Sequence, residues 1–268
     1  MRRSVLVARL SVLVALLISV GCSARGRGTI PPGTQQPDQF LFERGSKALA
    51  DKRWLTAREF FKELTETYTQ SPLRPDAKLS IGDTYLGEGN AEALVLAINE
   101  FQEFLSFYPT HRRADYAQYK LGMAHFRQMR APQRDQTETR DTVREFDAFV
   151  KRYPNSELMP EVSAKLREAR DRLSEADFQV GVFYYKQRWY PGAIDRLGTL
   201  LKQDPEFTGR DSVFFYLAEA LSRVNRTAEA LPYYERLVSE FEHSEHLDEA
   251  RKRIALLKAQ PVAKAPHS

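Results

Sequence analysis

The chain carries one thiol, five imidazoles and 36 carboxylates, so any chemistry must come from their spacing. Cys22 is the sole cysteine. It cannot form an intrachain disulfide, and its place directly after an apolar run suits alkylation rather than catalysis. His243 and His246 are three apart with Glu242 and Glu245 beside them. On a helix that spacing could hold a metal, but so polar a run reads better as a solvated turn. His111 and His125 are isolated. Glu59, Glu63 and Glu66 alternate with Arg58 and Lys62 at helical spacing, which is surface charge pairing. The sequence has no phosphate loop, Gly-rich dinucleotide fingerprint or nucleophile elbow. We expect no catalytic residue, no metal and no cofactor.

Met1–Gly21 begins basic, continues in an apolar run from Leu10 to Val20, and ends in small residues before Cys22. That is a secretory signal, too short for a spanning helix. The Gly21-Cys22 junction resembles the lipobox of bacterial lipoproteins. The resemblance implies that Cys22 is alkylated with diacylglycerol and N-acylated as residue one. Ser19 stands where that motif usually carries an apolar residue. Ser23, rather than Asp, after the cysteine implies sorting to the outer membrane, with the chain on its periplasmic face. Residues 22–37 read as a lipidated cysteine and a Gly- and Pro-rich tether, spanning up to roughly 50 Å when extended.

These end groups would serve a helical repeat body. In Leu79–Pro109 two amphipathic segments flank a Gly-Glu-Gly-Asn turn. Gly82 and Ala97 are small where two antiparallel helices would touch, the pattern of a tetratricopeptide-type hairpin. The pattern recurs as Gly45 with Ala57, Gly181 with Ala193, and Ala218 with Ala230, each pair 12 apart. A third copy has Gly122, Phe146, Phe149 and Tyr153-Pro154, but no clean Ala and a polar insertion near Arg130–Arg140. The small residues step by 37, 40, 59 and 37. The long step matches an uninterrupted apolar period from Val162 to Tyr184, read as one helix of about 25 residues that doubles as the first helix of copy four. Pro232 is expected to kink the last helix.

The fold class is therefore all-α: a right-handed superhelix of five tetratricopeptide-like hairpins with one long central helix. We divide it as 1–21 signal, 22–37 tether, 38–156 repeats one to three, 157–258 long helix with repeats four and five, and 259–268 tail. The formal charge is +4; without Arg2, Arg3 and Arg9 of the signal, which has no acid, it is +1. A nucleic-acid footprint is not supported.

Such repeats bind partner segments on their inner face. Reading outward from each small residue places Tyr116, Tyr119, Met123 and Phe126 in one stripe, expected to stay partly open. Phe42, Leu49, Leu79 and Leu86 extend it, and about half of this set would bury against the next repeat. Phe178, Val182 and Tyr185 occupy the same face of copy four.

The lipobox, tether, Tyr-Pro helix ends and long mid-chain helix, with the segments AREFFKEL, AINEFQEFLSFYPTH, ADYAQYKLGMAHF, EFDAFVKRYPNSE and YYKQRWYPGAIDRL, resemble the BamD family, lipoproteins of the outer-membrane β-barrel assembly machine. The likeness covers about Phe40–Leu257. It implies a non-enzymatic scaffold whose N-terminal repeats receive unfolded outer-membrane protein chains at the stripe. Its C-terminal repeats, with Arg196, Phe178 and Tyr185, would dock the POTRA region of the BamA-like core beside other assembly lipoproteins. A pilus-assembly lipoprotein and a Tol-associated scaffold are the alternatives. The 59-residue step argues against the first, and the absence of a heptad run before Asp38 against the second.

Overall fold

The computed structural model describes residues 30–259. Eleven helices follow one another among them: α1 (Pro37–Ala50), α2 (Trp54–Thr67), α3 (Arg74–Glu88), α4 (Ala91–Phe107), α5 (Ala114–Phe126), α6 (Thr137–Arg152), α7 (Met159–Lys186), α8 (Tyr190–Gln203), α9 (Arg210–Arg223), α10 (Thr227–Glu240) and α11 (Leu247–Ala259). The chain forms two compact units that divide between Arg74 and Pro75. The first holds the α1–α2 hairpin, and the second runs from α3 to α11. No described helix is long and apolar enough to cross a membrane.

The hairpin register follows the small residues. A Cβ added at Gly45 would meet the Phe61 ring at 2.7 Å, and one at Gly82 the Phe101 ring at 2.6 Å. Gly122 lies equally close to Phe146, and Gly181 to Leu197. In copies one, two and four the large residue stands four positions after the Ala, one turn further along the same face. Copy five replaces the glycine by buried Ala218 and places Tyr234 four after Ala230. Copy three fits the same rule once Thr142 is read as its small residue: it is fully buried, four before Phe146, and its hydroxyl donates to the Glu138 carbonyl at 2.8 Å.

The turns inside the hairpins share a device. Lys52, Gly89, Arg188 and Asn225 have φ of 57°, 71°, 61° and 62°. After the three non-Gly residues the next backbone N–H reaches back over the helix end: Arg53 to Ala48, Trp189 to Tyr184 and Arg226 to Leu221, at 2.8–2.9 Å. This is a Schellman-type cap, which satisfies the last carbonyls of the first helix. Copy three substitutes its insertion. There buried Gln136 donates to the carbonyls of Ala131 and Arg134 at 2.8 and 2.9 Å.

The turns that follow the hairpins share a second device. Ser71 donates to Asp38 at 2.6 Å, Ser156 to Asp115 at 2.6 Å and Ser244 to Asp211 at 2.7 Å, while each serine oxygen also accepts the backbone N–H two residues on. In copy two, His111 takes the serine's place and Arg112 and Arg113 pair with Asp76.

The long helix spans 28 residues, three more than the apolar period indicated. Helix α10 runs through Pro232 without a break. Pro232 and Ala228 are both exposed, so the carbonyl deprived of its donor is open to water and no rearrangement is forced. Nor is α10 the last helix, because α11 packs on it. His243 and His246 lie in the turn before α11, as a polar turn rather than on a helix.

Candidate functional site

Helix α7 presents Phe178, Gln179, Val182, Phe183 and Lys186 to a cleft closed by Ser212 and Tyr216 of α9 and by Glu245 and His246 of the following turn. Residues 178, 182 and 186 are one turn apart, so the helix lays a single stripe along the wall. The cleft measures about 390 Å³. Its far wall is aromatic: His246 stacks flat on Phe215 with centroids 4.3 Å apart, and Tyr216 meets His246 and Phe178 edge-on or tilted at 5.8 and 5.9 Å. At the rim Phe183 is 56% exposed; Trp189, equally exposed, lies outside the cleft's lining and rests edge-on against Tyr184 at 4.7 Å. Lys186 and Glu245 give the rim one charge of each sign.

Beneath this wall sits a buried carboxylate. Glu219 of α9 is 3% exposed and receives the phenol of Tyr234 at 2.6 Å, the phenol of Tyr185 at 3.3 Å and the Arg253 guanidinium at 2.6 and 3.3 Å. Four helices, α7, α9, α10 and α11, thus meet on one side chain. Burial first, and then Glu219, raises both phenols above the ordinary tyrosine value, most strongly Tyr234.

A second crevice of about 440 Å³ lies between Arg170, Leu173, Ser174 and Asp177 of α7 and the end of α8, from Leu200 to Glu206. Arg196 is exposed on α8 and 3.6 Å from Asp177 at its edge. Arg167 grips Asp204 with two nitrogens, and Ser174 donates to the same carboxylate at 2.5 Å. Burial alone would raise Asp204, but these bonds outweigh it and hold the carboxyl below the usual range.

The expected stripe is brought together, but mostly inward. Tyr119 is 7% exposed, donates to Glu161 at 2.5 Å and joins Phe146, Phe149, Val162 and Leu166 in one core cluster; Met123 and Phe126 pack against that cluster. The long helix covers this face at Tyr119, which corrects the expectation there, whereas Tyr116, Met123 and Phe126 stay half-buried. Leu79 and Leu86 are also buried. Tyr116 is half-buried: its phenol donates to Asp83 at 3.0 Å, and the Arg113 and Lys120 cations lie over its ring at 4.5 and 5.0 Å. Phe42 and Leu49 are half-buried in the first unit, Phe42 against Phe61 at 5.7 Å. Phe178 and Tyr185 are half-buried in and beside the cleft.

Among the described residues His125, Glu138 and Asp141 bring three possible ligand atoms within 4.8 Å. His125 Nδ1 is 2.8 Å from Glu138, and Asp141 pairs with Arg144. The His125–Glu138 contact ties α5 to α6.

A family model described as outer membrane lipoprotein, YfiO, matches residues 34–231. The chain belongs to the YfiO family of outer membrane lipoproteins. Curated relatives agree with the BamD resemblance. The outer membrane protein assembly factor BamD of Caulobacter vibrioides is 26% identical over 221 residues, covering 82% of this chain and 71% of that one. The protein of the same name from Haemophilus influenzae is 21% identical over 230 residues, covering 82% and 85%. Among solved structures, the TPR2AB domain of yeast Sti1 in its pHSP90 complex aligns with 14% identity and a TM-score of 0.48, over 82% of this chain and 83% of that one. As a YfiO-family member this protein is a lipoprotein of the outer membrane and not an enzyme. Cys22 lies outside the described residues. The cleft is only partly legible in the sequence: the stripe of copy four holds Phe178 and Val182 but not Phe183, Lys186 or Tyr216. The signal was there, since 179, 183 and 186 share α7's helical period with 178 and 182.

Proposed function

We propose that this lipoprotein is a non-enzymatic scaffold in the assembly of outer-membrane β-barrel proteins. In this reading its α7–α9 cleft docks the POTRA region of the BamA-like core. The observation that carries the proposal is the cleft itself. It combines a stacked aromatic wall, the large exposed side chain of Phe183 and a charge of each sign at the rim, the composition of an interface hot spot. The BamD names of the relatives support the process, and family membership supports the location. Arg196, at the edge of the second crevice, serves as a polar contact of the same partner. Unfolded barrel chains are received at the α5 region, where Tyr116 and Phe126 keep part of their rings accessible. Buried Tyr119, Leu79 and Leu86 support that region from beneath. Other assembly lipoproteins join the same complex, with the diacylglycerol and N-acyl group on Cys22 holding the chain to the membrane.

The test is a pull-down from detergent-solubilised envelopes with a Phe183→Ala, Lys186→Glu variant. Both side chains are exposed, so the melting temperature should hold while the barrel-assembly core is lost from the eluate. Full recovery of the core with this variant would refute docking at the cleft.

A further inference from the structure

The insertion between α5 and α6 is held rigidly and turns its cations outward. Gln136, 7% exposed, binds two loop carbonyls, and Thr139 donates to its side-chain oxygen at 2.8 Å. Arg172 of α7 donates to the Arg130 carbonyl at 3.0 Å. Arg130, Arg134 and Arg140 are exposed around this frame. Arg127, which donates to the Leu86 carbonyl, and Glu138, which faces His125, add one charge of each sign and cancel. Asp135 is the acid left among them, and Arg130 and Arg140 lie close enough to act on its charge. Counting Arg172, four guanidiniums face one carboxylate, a local +3. The chain after residue 21 totals +1, so the remainder carries two net negative charges and the cations are concentrated at this loop.

From this juxtaposition we infer that the Arg130–Arg140 loop is a second membrane contact, binding the anionic phosphate headgroups of the phospholipid surface to which the lipoprotein is anchored. Guanidinium pairs with phosphate through two parallel hydrogen bonds, and a pre-ordered loop loses little freedom in doing so. The acyl chains fix the protein to the bilayer, but a long polar tether leaves open which face it shows. A basic patch adds a short-ranged attraction that grows with each arginine near the surface and selects one face. Membrane attachment through lipid plus a polybasic patch is a two-signal arrangement.

The lipidated protein can report on this directly. With Cys22 acylated, Gln133→Cys supplies the one reactive thiol, placed in the loop, for an environment-sensitive fluorophore. Lys202→Cys is the control on exposed α8. The protein is reconstituted into phosphatidylcholine vesicles with and without phosphatidylglycerol. The label at residue 133 should shift to the blue with the anionic lipid, and the control should not. The shift should vanish in ~1 M salt, where the Debye length is about 3 Å. Replacing Arg130, Arg134 and Arg140 by Gln should weaken the response to phosphatidylglycerol by about a hundredfold, with unchanged circular dichroism. Equal emission in both vesicle types, or a shift that survives the triple substitution, overturns the inference. If the triple variant instead loses a co-purifying acidic protein while the label never responds to lipid, the loop is a protein contact and the membrane assignment is wrong.

Discussion

At the scale of single residues, glycine marks two opposite situations in this chain. Gly82 stands where an added Cβ would lie 2.6 Å from the Phe101 ring, inside a packed hairpin. Gly198 stands within α8 with nothing in 4 Å of the same position. Gly82→Ala should therefore overpack its hairpin and cost about 1–3 kcal/mol. Gly198→Ala should gain about 0.5–1 kcal/mol, because it removes unfolded-state freedom from a helix interior. Urea unfolding of the two variants checks both signs, and a loss at residue 198 equal to that at 82 would mean the register is misread. Titration offers a separate residue-level outcome. Burial first, and then the bond to Glu161, lifts the Tyr119 phenol well above the ordinary value of about 10. The unfolded chain releases this proton first. Its stabilisation is thus present in full below pH about 10 and is lost as pH rises through the folded value. Tyr119→Phe should lower stability at neutral pH and flatten the alkaline decline, read as denaturation midpoints between about pH 9 and 11.

At the scale of elements, the hairpin register was legible because it depends on contact chemistry that one residue type can carry. A glycine facing a large apolar side chain and an alanine one turn before it leave a spacing of 12 in copies one and four. Copy three hid the same contact behind Thr142, whose hydroxyl is satisfied within its own helix, so a polar residue fills an apolar role. The serine–aspartate ties were also hidden: their partners are 33 or 41 residues apart, and neither residue type is unusual alone. The direction of the α5 stripe was not legible, since helical period gives a face but not what covers it, and the long helix supplies that cover. Helix α11 illustrates the same limit. Its period of Leu247, Ala250, Ile254 and Leu257 packs on the core, but nothing in that period shows that Arg253 also locks the helix to Glu219 beneath the cleft wall. Arg253→Met should leave that carboxylate without its cation and cost about 3 kcal/mol or more. Glu219→Gln with Arg253→Gln should cost less than the sum of the two single changes. A double-mutant cycle by thermal unfolding measures the coupling, and strict additivity would show that α11 is held by packing alone.

At the scale of the molecule, a scaffold must engage two partners without one displacing the other. The surface of this chain offers the proposed scaffold a separate place for each. The aromatic cleft belongs to α7, α9 and the turn before α11, whereas the accessible parts of Tyr116 and Phe126 belong to α5. The variants that separate these roles must avoid the core. Tyr119 would be a poor choice, because it is 7% exposed and its loss would unsettle the α5–α7 packing. A better pair is Tyr116→Ala with Phe126→Ala on one side and Arg196→Glu on the other. Arg196 is exposed and its pairing with Asp177 is long at 3.6 Å, so reversing its charge should hardly affect stability. Aromatic anchors can cost more than about 2 kcal/mol of binding when truncated. The α5 pair should accordingly weaken a fluorescence-monitored titration with a barrel-derived C-terminal peptide by about thirtyfold while the core still co-purifies. Arg196→Glu should do the reverse, because it inverts a charge at the proposed docking face and leaves α5 untouched. Thermal melts of all variants guard against misfolding. If both variants lose both partners while folded, the two functions share one surface and the separation by helix is wrong; if Arg196→Glu keeps the core, the second crevice is not part of the docking face.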